Sequence, residues 1–167
     1  MGDGVSFNFK CFIDRIDFVE GKLRIVDYKT GSDDVQISKP DDFEDLFAPD
    51  SNGAHKKALL QLLLYCNAYA MHEHYADDIT PVVYKFRDVD KCLNGKYDIQ
   101  QSYLKGKSIR YKPVDGYLND LKNDKFLERI RKVIRDIFDR DVPFVQTEHK
   151  NRCLYCQFNK ICSRSED

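Results

Sequence analysis

Asp14-Arg15-Ile16-Asp17-Phe18-Val19-Glu20-Gly21-Lys22-Leu23-Arg24-Ile25-Val26-Asp27-Tyr28-Lys29-Thr30-Gly31 reads as two β-strands folded back on each other at Glu20-Gly21. A two-residue loop at that point sets the register of the pair. It places Asp14 opposite Asp27, and Asp17 opposite Arg24 on the other face. Side chains two apart on a strand share a face, so Lys29 joins Asp14 and Asp27. Ile16, Phe18, Leu23 and Ile25 fall in the same row. Two carboxylates directly opposite repel and destabilise a sheet. Charged groups at the end of a core-facing row need a reason to be there. Asp17 with Arg24 reads as an ordinary cross-strand ion pair, worth little when exposed.

An Asp pair and a Lys on one face is a donor set for metal-assisted hydrolysis. Mg²⁺ or Mn²⁺ takes hard oxygen ligands and keeps several waters. Asp14 and Asp27 are the candidate carboxylate ligands. Lys29 cannot ligate while protonated, but it can orient an attacking water and offset charge building on a phosphate. The competing reading is a surface strand with scattered charges.

Outward from the hairpin, residues 5–18 alternate loosely and read as one strand, and residues 22–29 as the next. Residues 31–52 are polar, with Pro40 and Pro49, and read as a long surface loop with a short helical turn near 43–47. Residues 54–75 hold the strongest helix pattern, with Leu59, Leu60, Leu62, Leu63 and Leu64 apolar nearly all round. Gln61 and Tyr65, four apart, share one of its faces. They read either as a core Tyr with a backbone-bonded Gln, or as a pair turned towards a cleft. Residues 80–87 read as a strand and 88–113 as polar and irregular. Helix returns over 115–141, where Phe126, Ile130, Val133, Ile134, Ile137 and Phe138 form a stripe, and Pro143 ends it. The pattern is that of a single α/β domain over residues 1–167.

The chain has 167 residues, 42% of them hydrophobic and 33% charged, with a formal net charge of −1. That is ordinary for a globular domain with a real core. No segment approaches the roughly 18 apolar residues of a membrane span, and Met1-Gly2-Asp3-Gly4 does not begin a signal peptide. A cytoplasmic location is expected, with disulfides absent. Nucleic-acid binding would need a local basic face. Lys105, Lys107, Arg110 and Lys112, in a loop-like stretch with Tyr103 and Tyr111, are the better candidates. Lys122, Lys125, Arg129, Arg131, Lys132 and Arg135 are interleaved with acids and read as a solvated helix face. Of six cysteines, Cys11 and Cys66 sit in apolar settings, Cys92 is isolated, and Cys153, Cys156 and Cys162 cluster. Thiolates so spaced bind Fe–S clusters or Zn²⁺, but both want four ligands. His149 is close enough in sequence to complete a zinc site.

The segments Phe12-Ile13-Asp14-Arg15-Ile16-Asp17 and Ile25-Val26-Asp27-Tyr28-Lys29-Thr30-Gly31 resemble the RecB-type nuclease signature of the PD-(D/E)XK superfamily. Cys11 stands where that pattern often has Gly. Gln61-Leu62-Leu63-Leu64-Tyr65 matches its Q-x-x-x-Y block, and Cys153, Cys156 and Cys162 match its C-terminal cysteine block. The resemblance implies a restriction-endonuclease-like mixed central sheet flanked by helices, with the site at one edge. It implies Asp14, Asp27 and Lys29 as catalytic residues and the Tyr28 backbone carbonyl as a further metal ligand. It places Gln61 and Tyr65 in the substrate cleft. In AddB-like helicase–nuclease subunits and CRISPR-associated RecB-like exonucleases, three such cysteines join one far upstream to hold a [4Fe–4S] cluster. That cluster pins the C-terminal segment, here 149–163, onto the nuclease domain.

Two parts of the family pattern are missing here: a helix before the first strand with an acidic residue or His that reaches the metal, for which Asp3 lies too close to the terminus, and a Cys before Cys11. Both omissions suggest a C-terminal portion of a larger protein, in which helicase domains or subunits are the expected partners and the cluster belongs to the intact parent. The resemblance implies a metal-dependent DNA exonuclease acting in end processing, recombination or repair. The alternatives are a nuclease-fold DNA-binding module without cleavage, and a zinc-stapled interaction domain.

Overall fold

Glu20 and Gly21 carry the backbone through the first turn with φ of 52° and 79°. Positive φ at both central residues is the turn whose twist matches that of the flanking strands. The strands it joins, β1 (Arg15–Val19) and β2 (Lys22–Lys29), pair antiparallel with Asp17 opposite Arg24 and Ile16 opposite Ile25. The expected register is therefore the observed one. The computed structural model describes residues 8–31, 35–38, 43–48, 56–88, 99–114 and 123–164.

After β2 come β3 (Gln36–Ile37), α1 (Glu44–Phe47), α2 (Lys57–His72), β4 (Ile79–Lys85), β5 (Gln100–Lys105), β6 (Ser108–Pro113) and α3 (Asn123–Phe138). Short 3₁₀ turns occupy Phe86–Asp88 and Lys150–Arg152. The described strands form two three-stranded sheets, ordered β1-β2-β4 and β3-β5-β6. Each is mixed: β2 pairs antiparallel with β1 and parallel with β4, while β5 pairs parallel with β3 and antiparallel with β6. Parallel neighbours need a long crossover, and α2 lies within the one between β2 and β4.

α2 packs across β2 and β4. Its Leu59, Leu62, Leu63 and Cys66 are fully buried against Leu23, Ile25, Ile79 and Val83. Each such side chain contributes about 1.5–3 kcal/mol by leaving water. Burial also pushes the Cys66 thiol pKa well above its ordinary value. Phe126 anchors α3, with its ring 5.6 Å from Phe43 and 6.4 Å from Phe47. Polar ties fix the layers. Asn67 on α2 donates to the Leu63 carbonyl at 2.9 Å and accepts from Asn123, at the start of α3, at 2.8 Å. Lys56 reaches both the Gln36 carbonyl and Asp45.

Several expectations are corrected. The first strand is shorter than 5–18: residues 8–13 carry no regular structure and Asp14 sits in a bend. Residues 1–7 lie outside the described residues. The bend has a physical reason, since the Asp14 carboxylate takes the Tyr28 amide that a continuing ladder would use. Ile16 and Phe18 share the row of Leu23 and Ile25 but are 42% and 64% exposed. The 31–52 stretch is no mere surface loop, because Val35, Ile37, Phe43 and Leu46 enter the core. The 88–113 stretch, expected to be irregular, ends in the β5–β6 hairpin. Gly106, at the first position of its two-residue loop, has φ of 66°. A glycine there is the mark of a type II′ turn.

Candidate active site

The core-facing row of β2 runs Leu23, Ile25, Asp27, Lys29. The first two are fully buried, Asp27 is 2% exposed, and the Lys29 side chain is 22% exposed. The row therefore passes from hydrocarbon to charge at the carboxyl end of the strand. Burying a carboxylate is costly unless a cation accompanies it. Here Lys29 Nζ lies 2.8 Å from Asp27 Oδ2.

Lys29 is held from a second side. Its Nζ donates to Gln61 Oε1 at 3.0 Å, and Gln61 Nε2 in turn donates to the Tyr65 hydroxyl. The i, i+4 spacing on α2 brings those two side chains together. The result is a relay from strand to helix: Asp27, Lys29, Gln61, Tyr65. Of the two readings of Gln61 and Tyr65, the backbone-bonded glutamine is not what forms. Both residues also border a cleft of about 380 Å³ between α2 and the segment around Phe9 and Phe12, with Leu60 and Leu64 on its apolar side.

Asp14 is attached differently. Its Oδ2 accepts the Tyr28 backbone N–H at 2.9 Å, and its side chain is exposed. It thus meets β2 through the main chain between Asp27 and Lys29, at the residue whose carbonyl is the expected third ligand. Asp17, by contrast, lies on the opposite face. Arg24 donates to its two oxygens at 2.7 and 3.0 Å, and Arg15 lies 2.8 Å away. The Arg24 hydrogen bonds hold the Asp17 carboxyl below the usual carboxylate pKa, against the desolvation that would raise it.

Lys85 was not singled out from sequence. In the parallel ladder it is the register partner of Lys29, and it is 7% exposed. Two lysines therefore end adjacent strands side by side. No spacing in the sequence points to it, because the pairing of β2 with β4 spans the whole α2 crossover.

The expected donors, two carboxylates and a main-chain carbonyl, are of the hard oxygen type that a divalent cation such as Mg²⁺ takes. Among the described residues, no three of His, Cys, Asp and Glu come together in a way that could hold a metal ion. That holds for Cys153, Cys156 and Cys162, which lie part-buried in a run of tight turns. The Cys156 amide donates to the Cys153 carbonyl at 3.1 Å and the Cys162 amide to the Phe158 carbonyl at 3.2 Å. The expected [4Fe–4S] set thus has no support in this arrangement. Cys92 lies outside the described residues.

The mixed β1-β2-β4 sheet, the helix laid across it and the Asp-x-Lys at the end of its central strand define an α/β nuclease fold. The sequence pattern of the PD-(D/E)XK nuclease superfamily matches residues 1–163, and the chain belongs to that superfamily. Searches of curated proteins and of solved structures return no match. Among the described residues, no helix is long and apolar enough to cross a membrane.

Proposed function

We propose that this chain is a divalent-metal-dependent deoxyribonuclease domain that hydrolyses phosphodiester bonds, working as an exonuclease in DNA end processing. The observation that carries this reading is the buried Asp27 whose cation, Lys29, is steered from a separate helix by Gln61. A pair kept only for stability would not need a second hydrogen-bonded arm, and buried ion pairs contribute little net stability.

In this reading Asp14 and Asp27, with the Tyr28 carbonyl, hold Mg²⁺ or Mn²⁺. When bound, the ion supplies Lewis acidity towards a phosphate oxygen and a water of lowered pKa. The chain's own residues do the rest. Asp27 fixes the Lys29 ammonium by charge, and Gln61 fixes its direction. Lys29 then faces the bound phosphate with a positive charge whose attraction grows as negative charge accumulates on the phosphate oxygens. The Lys29 ammonium can only donate, so it takes the oxygen of the Gln61 amide, and Tyr65 holds the nitrogen at the far end. Little sequence readout is expected, because phosphate contacts carry no base information. Helicase domains or subunits are the proposed partners.

The test is cleavage of end-labelled DNA with Mg²⁺ and with EDTA. Asp27→Asn and Lys29→Ala should each lower the rate by about 10²-fold or more, the scale on which single transition-state-stabilising groups act. Circular dichroism should show both variants folded. Wild-type cleavage by either folded variant would end this assignment.

A further inference from the structure

The β5–β6 hairpin reverses the usual in–out pattern. At its base, Ile99 and Val114 are 1% and 4% exposed, and the Val114 amide donates to the Ile99 carbonyl at 2.8 Å. Further along the same face, by strand alternation, come Tyr103 and Lys105 on β5, and Lys112, Arg110 and Ser108 on β6. The ladder sets Tyr103 beside Arg110 and Lys105 beside Ser108. All five are exposed. A row that begins in the core thus continues as one tyrosine and three cations. The apolar Ile109, 65% exposed, and Tyr111 lie on the other face. A hairpin built only to cover a core would carry its apolar side chains on the core side throughout.

We infer that this face is a track for single-stranded DNA, an inference that takes its polyanion from the nuclease reading and specifies the form in which the substrate is held. Four observations support it. Residues 99–114 contain four cations and no acid, within a chain of net charge −1. Lys105, Arg110 and Lys112 occupy successive levels of the ladder, each about 6.8 Å from the next at a strand rise of about 3.4 Å per residue. That is twice the roughly 3.4 Å between nucleotides along one strand of a duplex, and it suits an unstacked, extended strand. Tyr103 stands at the middle level, where an unstacked base can lie on its ring. β6 is the outer strand of its sheet, so among the described residues no further strand pairs along its outer edge. The fold sorts residues that sequence alone leaves together: Lys107 sits in the turn, and Tyr111 faces away.

The test is binding, not cleavage. The full chain is titrated in EDTA against a fluorescein-labelled thymidine oligonucleotide of about 16 nucleotides, the upper end of a single-strand site. Anisotropy is read across a series of NaCl concentrations. Lys105→Gln/Arg110→Gln/Lys112→Gln should weaken binding at least tenfold at low salt. It should also flatten the plot of log Kd against log salt by about 2, since each single-strand phosphate contact contributes about 0.7. Tyr103→Ala should lose roughly tenfold, Tyr103→Phe little, and Tyr111→Ala little. Lys125→Gln/Lys132→Gln/Arg135→Gln on α3 should bind as the wild type does. A bromodeoxyuridine crosslink mapped by mass spectrometry on the wild type should fall within 99–114, whatever the variants' solubility. Wild-type affinity and salt slope in the hairpin variant, an equal loss in the α3 variant, tighter binding of a duplex, or crosslinks confined elsewhere would each overturn the inference. A chain that binds through the hairpin yet never cleaves with Mg²⁺ would refute the nuclease reading and leave this one standing.

Discussion

Lys29 on β2 donates a 3.0 Å hydrogen bond to Gln61 on α2, across 32 residues of chain, while its ammonium lies 2.8 Å from Asp27. The ion pair is local in sequence, and the amide that aims it is not. In the proposed mechanism Gln61 is a positioning residue, and Gln61→Ala should lower kcat up to about 100-fold while KM changes little, because the loss is one of orientation. Stability should fall by about 1–2 kcal/mol as Lys29 and Tyr65 each lose a partner. Steady-state kinetics beside urea denaturation separates the two effects. A proportional rise in KM with kcat unchanged would contradict the positioning role.

A bound divalent ion should stabilise the fold through Asp14 and Asp27. At 100 times its dissociation constant a ligand adds about 2.7 kcal/mol, which for a chain of this size raises Tm by about 5 °C or more. Differential scanning fluorimetry with Mg²⁺ and Mn²⁺ reads this without any turnover. Asp14→Asn and Asp27→Asn should each remove most of the rise. An undiminished shift in both would place the ion elsewhere.

The Asp17–Arg24 pair makes a pH-dependent contribution of known sign. Its hydrogen bonds hold the Asp17 pKa in the folded state below the ordinary value near 3.9. The unfolded chain therefore takes up the proton first. The contribution is complete above about pH 4–5 and disappears as pH falls through the folded-state pKa. Both side chains are partly exposed, so Arg24→Gln should cost no more than about 1 kcal/mol at pH 7. Urea unfolding from pH 7 down to pH 3 should show the gap between wild type and variant narrowing. Cleavage should be unaffected, because the pair lies on the face away from Asp27.

Docking of α3 rests on Phe126. It is fully buried between Phe43 and Phe47, so Phe126→Ala should cost about 3–5 kcal/mol. Ile137, 49% exposed near the other end of the same apolar stripe, should cost under about 0.5 kcal/mol when changed to Ala. Equal losses at the two positions would mean that the distal half of the helix is also packed.

Residues 14–29 show how far a local pattern reaches. The Glu20-Gly21 turn, the register of β1 with β2, the separation of Asp17 from Asp27, and the row ending in Asp27 and Lys29 were all legible. Each depends only on strand alternation and a two-residue loop. The α2 helix and the 80–87 strand were legible for the same reason: periodicity within one segment. The β5–β6 hairpin was missed although Gly106 marks its turn, because the row that starts in the core at Ile99 and Val114 continues as exposed Tyr103, Lys105, Arg110 and Lys112 and gives no apolar alternation. β3 was missed because two residues are too few to show a period.

By itself, then, the sequence determined which side chains share a face within a hairpin or a helix. Only the tertiary structure decided which of those faces meet. Gln61 reaches Lys29 because α2 packs on β2, and Lys85 stands beside Lys29 because β4 pairs parallel with β2. The chain leaves the ladder at Asp14, whose carboxylate takes the Tyr28 amide across 14 residues. Such contacts close long loops, and their geometry is set by how buried surfaces fit together, which no repeat of two or 3.6 residues encodes.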